Sequence, residues 1–86
     1  MEEKIAVINQ LMDQIIEDRS VPRNIRNAVQ EAKDNFNNKN LGDMEVRISA
    51  AVDILDEVTN DPNMPMYTRT QIWNIVSLLE GLRAKK

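Results

Sequence analysis

The chain has 86 residues, 14 acidic against 11 basic side chains for a formal charge of −3, and neither Cys nor His. That length suits one domain, residues 1–86, with a core large enough to fold alone. The missing residue types exclude disulfides, zinc-finger sites, thiol nucleophiles, imidazole acid/base chemistry and the Glu-x-x-His di-iron motif. The net charge opposes general attraction to nucleic acid or anionic lipid, and aromatics at 3% leave the core to aliphatic side chains, Ala and five Met.

No stretch approaches the ~20 apolar residues of a membrane-spanning helix. The opening MEEKIAVINQLMDQII lacks the apolar run of a signal peptide. A cytoplasmic protein without a membrane partner is the expectation.

Glu2 to Asp18 reads as the first helix. Ile5, Ile8, Leu11, Met12, Ile15 and Ile16 make one core-facing stripe, with Glu3, Lys4, Gln10, Asp13 and Gln14 opposite. Glu2 and Glu3 suit the positive end of its dipole. Pro22 then breaks the pattern by forcing Val21 out of helical conformation, yet proline at a first turn is pre-set to begin a helix. A second helix is expected from about Pro22 to Asn37, with Ile25, Ala28, Val29, Ala32 and Phe36 inward. Asn37-Asn38-Lys39-Asn40-Leu41-Gly42 reads as a stop whose Asn and Gly residues can take the left-handed conformation of a C-cap.

Asp43 is placed to cap a third helix, Met44 to Val58. Its apolar residues Met44, Ile48, Ala51, Val52, Ile54, Leu55 and Val58 fall within an arc of roughly 160°. So broad a face predicts a central packing helix, with Ala50 and Ala51 admitting a close neighbour. Arg47 falls inside the arc but near the helix start, where its stem can lie on the core and its head reach water. Asn60-Asp61-Pro62-Asn63-Met64-Pro65 reads as a turn. The fourth helix is expected from Pro65 or slightly later, with Thr68 an alternative N-cap, and Ile72, Ile75, Val76, Leu79 and Leu82 inward. Trp73 and Val46 lie off the main stripes, as a dimer surface or the rim of the core.

Four helices with short connections predict an all-α, up-and-down antiparallel four-helix bundle. The alternative is a pair of stacked HEAT-like hairpins. Ile15-Ile16-Glu17-Asp18 before Val21-Pro22 resembles Ile54-Leu55-Asp56-Glu57 before Met64-Pro65, at offsets of 39 and 43.

An antiparallel bundle brings the first and third connections to one end. Arg19, Arg23, Asn24 and Arg26 there approach Asn60, Asp61, Asn63, Arg69, Thr70 and Trp73. Arg residues beside two helix N-termini suit a phosphate or carboxylate, and Trp with Arg is the chemistry of binding hot spots. The structural alternative is ion pairing, because Glu17, Asp18, Asp56 and Glu57 end helices where acids are unfavourable with the dipole. Asp56, Glu57 and Asp61 lack the spacing of a calcium loop, and no Gly-rich phosphate loop or nucleophile motif is present. No catalytic residue, cofactor or metal is therefore expected.

VPRNIR (Val21 to Arg26), LDEVTNDPNMP (Leu55 to Pro65) and RTQIW (Arg69 to Trp73) resemble the signatures of a family of uncharacterised short archaeal proteins. The resemblance covers nearly the whole chain, without clear departure. It implies a helical bundle in an archaeal cytoplasm, and no activity or site residues, since the family has none established.

The leading functional expectation is a small non-catalytic module that binds a protein partner, or its own copy, through the end formed by residues 21–26 and 60–73. The alternative is anion or RNA binding through Arg19, Arg23, Arg26 and Arg69, which the net charge disfavours. A third possibility is a small-molecule cavity lined by Met12, Phe36, Ile48 and Leu79.

Overall fold

Wherever apolar residues recur at alternating steps of three and four, the chain is helical. The computed structural model describes residues 2–84, with helices α1 (Glu2–Ile16), α2 (Arg23–Asn37), α3 (Met44–Val58) and α4 (Met66–Ala84). Buried positions keep that step: Ile8, Met12 and Ile15 in α1, Ile25, Val29, Ala32 and Phe36 in α2, Ile48, Ala51 and Leu55 in α3, where Val52 is buried beside them, and Ile72, Ile75, Leu79 and Leu82 in α4. A repeat near 3.5 residues keeps one stripe facing its neighbours along the length of nearly aligned helices.

The helices pack in a ring. α1 meets α2, α2 meets α3, α3 meets α4 and α4 returns to α1, while diagonal pairs make no close backbone approach among the described residues. This is the up-and-down antiparallel bundle, 36 × 20 × 20 Å. The contact between α1 and α4 excludes stacked HEAT-like hairpins, which would lay α1 along α3 instead. It also corrects the expectation of a central helix: α3 has two neighbours, like the other three. The broad arc is real but incompletely covered, for Met44, Ile54 and Val58 are only half-buried. α2 and α3 share the most extensive backbone contact. Ala32 and Ala51 are fully buried there, and such small side chains let two backbones approach.

The connections depart from expectation in detail. α1 ends at Ile16, two residues early. Pro22 is the N-cap of α2, with φ −54° and ψ 146°, and its carbonyl accepts from the N–H groups of Ile25 and Arg26, each at 3.1 Å. Asn38 ends α2 with extended dihedrals, and no residue other than glycine has positive φ among those described, so the asparagines supply no left-handed cap. The positive φ of 157° falls at Gly42, before α3. Asp43 caps α3 as expected, its carboxylate accepting from the Val46 N–H at 3.1 Å. Thr68 is no cap: it is wholly buried inside α4 with its hydroxyl unpartnered.

Val21 and Met64 lie in connections, outside the helical periodicity, yet they are buried and complete the core. Their offset of 43 runs further. Asp18 and Asp61, Val21 and Met64, Pro22 and Pro65, and Arg26 and Arg69 occupy equivalent positions, so the α1–α2 and α3–α4 hairpins are built on one pattern 43 residues apart. Thr68 then takes the place of Ile25.

Two stability outcomes follow. A Cβ at residue 42 would lie 2.9 Å from Val46 Cβ at a φ that side chains rarely adopt. Gly42→Ala should therefore lower unfolding free energy by about 1–3 kcal/mol in urea titration. Thr68→Val removes a buried hydroxyl without a partner and should raise it by about 1 kcal/mol. A loss with Thr68→Val would mean that the hydroxyl is bonded.

Candidate functional site

Connections 17–22 and 59–65 lie at one end of the bundle, and their polar side chains tie them together. Each connection turns on an aspartate that accepts from the backbone two residues ahead: Asp18 from the Ser20 N–H at 2.9 Å, Asp61 from the Asn63 N–H at 2.8 Å. Each aspartate is then reached by the opening turn of the opposite hairpin. Asn24 of α2 donates to Asp61 at 2.6 Å, and Tyr67 of α4 donates to Asp18 at 3.2 Å. Asn24 and Tyr67 are themselves 43 residues apart, so the two ties are internal equivalents. The Ser20 hydroxyl donates to Asp18 at 2.6 Å and also touches the Tyr67 hydroxyl.

Arg69 extends the network. It is half-buried and donates to the carbonyls of Thr59 and of Asp61, the latter at 3.3 Å. It therefore supplies donors and positive charge to the C-terminal end of α3. The expected carboxylate pairing does not occur. Among the described residues the ion pairs are Lys33 with Asp13 at 2.6 Å and Arg83 with Glu80 at 2.9 Å, and neither involves these arginines. Neutralisation of the helix end goes through backbone carbonyls because Arg69 follows Pro65 by one turn, within reach of the chain leaving α3. Arg26, its equivalent, is half-buried with Nε unpartnered, and acts on Asp18 only through its charge.

The remaining candidates divide by exposure. Arg19 and Arg23 are exposed and make no hydrogen bond or ion pair among the described residues. Asn60 and Asn63 are exposed at the turn. The Thr70 hydroxyl donates back to the Met66 carbonyl at 3.2 Å. Trp73 is 56% exposed on the outside of α4, one heptad from Met66 at 72%. Thus Asn24, Asp61 and Arg69 hold the fold, whereas Arg19, Arg23 and Trp73 face outward. Sequence reasoning missed the Asp18–Ser20–Tyr67 cluster, although Asp-x-Ser is a turn signal. It also missed Met66, whose exposure depends on where α4 sits.

Val46, which like Trp73 reads as a dimer surface or the rim of the core, is exposed at the other end, over Gly42. The postulated cavity residues Met12, Phe36, Ile48 and Leu79 belong to one continuous core. Open grooves are found at the surface instead. One of ≈ 370 Å³ runs between α1 and α4 and is lined by Glu3, Val7, Leu78 and Gly81 among others. Another of ≈ 430 Å³ passes Ile5, Phe36, Met44 and Arg47.

The model of an uncharacterised protein family, UPF0147, matches residues 1–82. The chain belongs to this family. A UPF0147 protein of Methanocaldococcus jannaschii is 49% identical over 82 residues, spanning 95% of this chain and 87% of that one. One from Methanothermobacter thermautotrophicus is 46% identical over 76 residues, or 88% and 74%. Two crystal structures share the fold. A UPF0147 protein from Thermoplasma acidophilum superposes with a TM-score of 0.87 at 32% identity, covering 94% of both chains. A protein of unknown function, MMP1188, gives 0.88 at 46% identity over 92% and 89%. The UPF0147 relatives carry no established activity, as the resemblance implied. No helix among the described residues is long and apolar enough to cross a membrane.

The Asp18 carboxyl is held below its ordinary value of 3.8 by the Ser20 hydroxyl, then by the Ser20 N–H, with smaller help from Tyr67 and the Arg26 charge, against some opposing burial. A depressed pKa in the folded state contributes stability above the unfolded value, which is lost as pH falls through the folded one. The stability gap between the natural chain and Asp18→Asn should accordingly be present at neutral pH and close as urea titrations are taken below about pH 4. A gap independent of pH would remove the charge from the explanation.

Proposed function

We propose that this UPF0147 member is a non-catalytic, cytoplasmic protein-interaction module that binds through the outside of α4, at the end formed by residues 21–26 and 60–73. One observation carries the reading. From Met66 to Ser77 the exposed side chains of α4 are Met66, Tyr67, Thr70, Trp73, Asn74 and Ser77, with no charge among them. Interface cores are depleted of charge and enriched in Trp, Tyr and Met, and a solvated helix face is ordinarily neither.

The internal repeat supplies a control. The positions on α2 that correspond to Met66, Thr70, Trp73 and Ser77 are Arg23, Asn27, Gln30 and Asp34, all exposed. The same place in the other hairpin is therefore hydrophilic, so the apolar character of α4 is not a requirement of the fold. Anion or RNA binding has less support: of its four arginines Arg69 is engaged by carbonyls and Arg26 is half-buried, which leaves Arg19 and Arg23 on a protein of net charge −3.

Affinity capture from archaeal lysate tests the reading. The natural chain and an Arg19→Ala/Arg23→Ala variant should recover the same nuclease-resistant protein. A Met66→Glu/Trp73→Glu variant of unchanged helicity should lose at least about 90% of it, as expected for hot-spot positions. Recovery abolished by nuclease or by the arginine changes would move the assignment to nucleic acid.

A further inference from the structure

Resting on the reading of α4 as an interface, we infer that one occupant of its outer face is a second copy of the chain, packed antiparallel about a two-fold axis near Trp73 and Asn74. The inward stripe of α4 is Thr68, Ile72, Ile75, Leu79 and Leu82. Met66, Thr70, Trp73, Ser77 and Glu80 repeat its steps of four and three, displaced by two residues, and all five are exposed. Two residues are about 200° of helix, so this second seam runs along the side opposite the first. Of these five only Met66 and Trp73 are large and apolar, one heptad apart, so the outer side carries a short apolar strip flanked by small polar residues.

The outer seam is complementary to itself in size. Antiparallel pairing about residues 73 and 74 sets Met66 of one copy against Gly81 of the other, and Thr70 against Ser77. Met66 is the most exposed large apolar side chain among the described residues, and a Cβ added at Gly81 would meet nothing within 4 Å. The most exposed apolar side chain thus faces a position with room for it, twice by symmetry, as an isologous interface requires.

Charge is complementary as well. On the α1 side of α4, its first turn is flanked by Arg19, next to the Ser20 that touches Tyr67, and its last turns by Glu3, which lines the groove with Lys4 and Gly81. An axis lying in the interface and perpendicular to α4 exchanges the ends but keeps the sides. It therefore brings the unpaired Arg19 of one copy over Glu3 of the other. A parallel two-fold, running along α4, would exchange the sides instead of the ends and would leave Arg19 and Glu3 on opposite flanks, unmatched across the interface. Antiparallel packing also opposes the dipoles of the two α4 helices.

Sedimentation equilibrium should find twice the 9.9 kDa chain mass. Trp73→Glu, on an exposed site, should keep the helical signal and weaken association by about 30-fold or more. Arg19→Glu should weaken it several-fold at low salt, and adding Glu3→Arg in the same chain should restore it. Because the chain has no Cys, introduced thiols report register. Asn74→Cys should link to itself on mild oxidation. Thr70→Cys and Ser77→Cys should link in a mixture but not separately. A single species of monomer mass at about millimolar concentration, or efficient self-linking of Thr70→Cys, would overturn the antiparallel dimer. A monomer that still captures its lysate partner would overturn the dimer while leaving the interaction reading intact. A dimer that captures nothing would support the dimer and confine the interaction to self-association.

Discussion

The constraint on which the rest depends is that four aliphatic stripes, each stepping by three and four, must be buried by one another. With Phe36 the one buried aromatic ring and the single Trp outside, aromatic side chains supply little of the core. Burial has to be gathered along the whole length of the helices. The ring of four antiparallel neighbours achieves this because a seam repeating near 3.5 residues stays in register with nearly aligned partners. Ala32 and Ala51 then bring α2 and α3 together, while Val21 and Met64 fill the end where the helices would otherwise leave the core open.

The repeated hairpin pattern explains why the polar residues at that end form a closed set. Each connection has an aspartate that organises its own turn, and each hairpin lends the other a donor, Asn24 in one direction and Tyr67 in the reverse. Because these partners are surface groups, each bond adds little strength. Their effect is to fix how the two halves sit against each other. Arg69 joins them by serving the carbonyls at the end of α3. Residues that look like a binding constellation are thus largely satisfied within the fold, and exposure, more than chemistry, separates those left over for a partner.

The same repetition makes the surface interpretable. Equivalent positions in two hairpins of one pattern share backbone environment, so their differences reflect demands beyond folding. On α2 the outer positions carry Arg23 and Gln30, as water favours; on α4 the same positions carry Met66 and Trp73. The hairpins agree inside the bundle and at its tied end, and part company on the outside of α4. A function read from that divergence does not rely on the family, whose members have similar sequence and fold but no known role.

By itself the sequence determined four helices, three of their starts to within a residue, the Asp43 cap and nearly all of the core, because periodicity and capping act within a few residues and need no knowledge of the neighbours. It also carried the signatures of the family and the offset of 43. Tertiary structure alone decided what those features mean. Whether α1 closes on α4 or stacks on α3 turns the same repeat into a bundle or a solenoid, and both patterns have the same local spacing. Whether Arg69 meets a carboxylate, a carbonyl or a ligand depends on distances between elements remote in the chain. Thr68 and Met66 make the point most plainly. They stand two residues apart in one helix, and rotation about its axis buries the hydroxyl while leaving the thioether exposed.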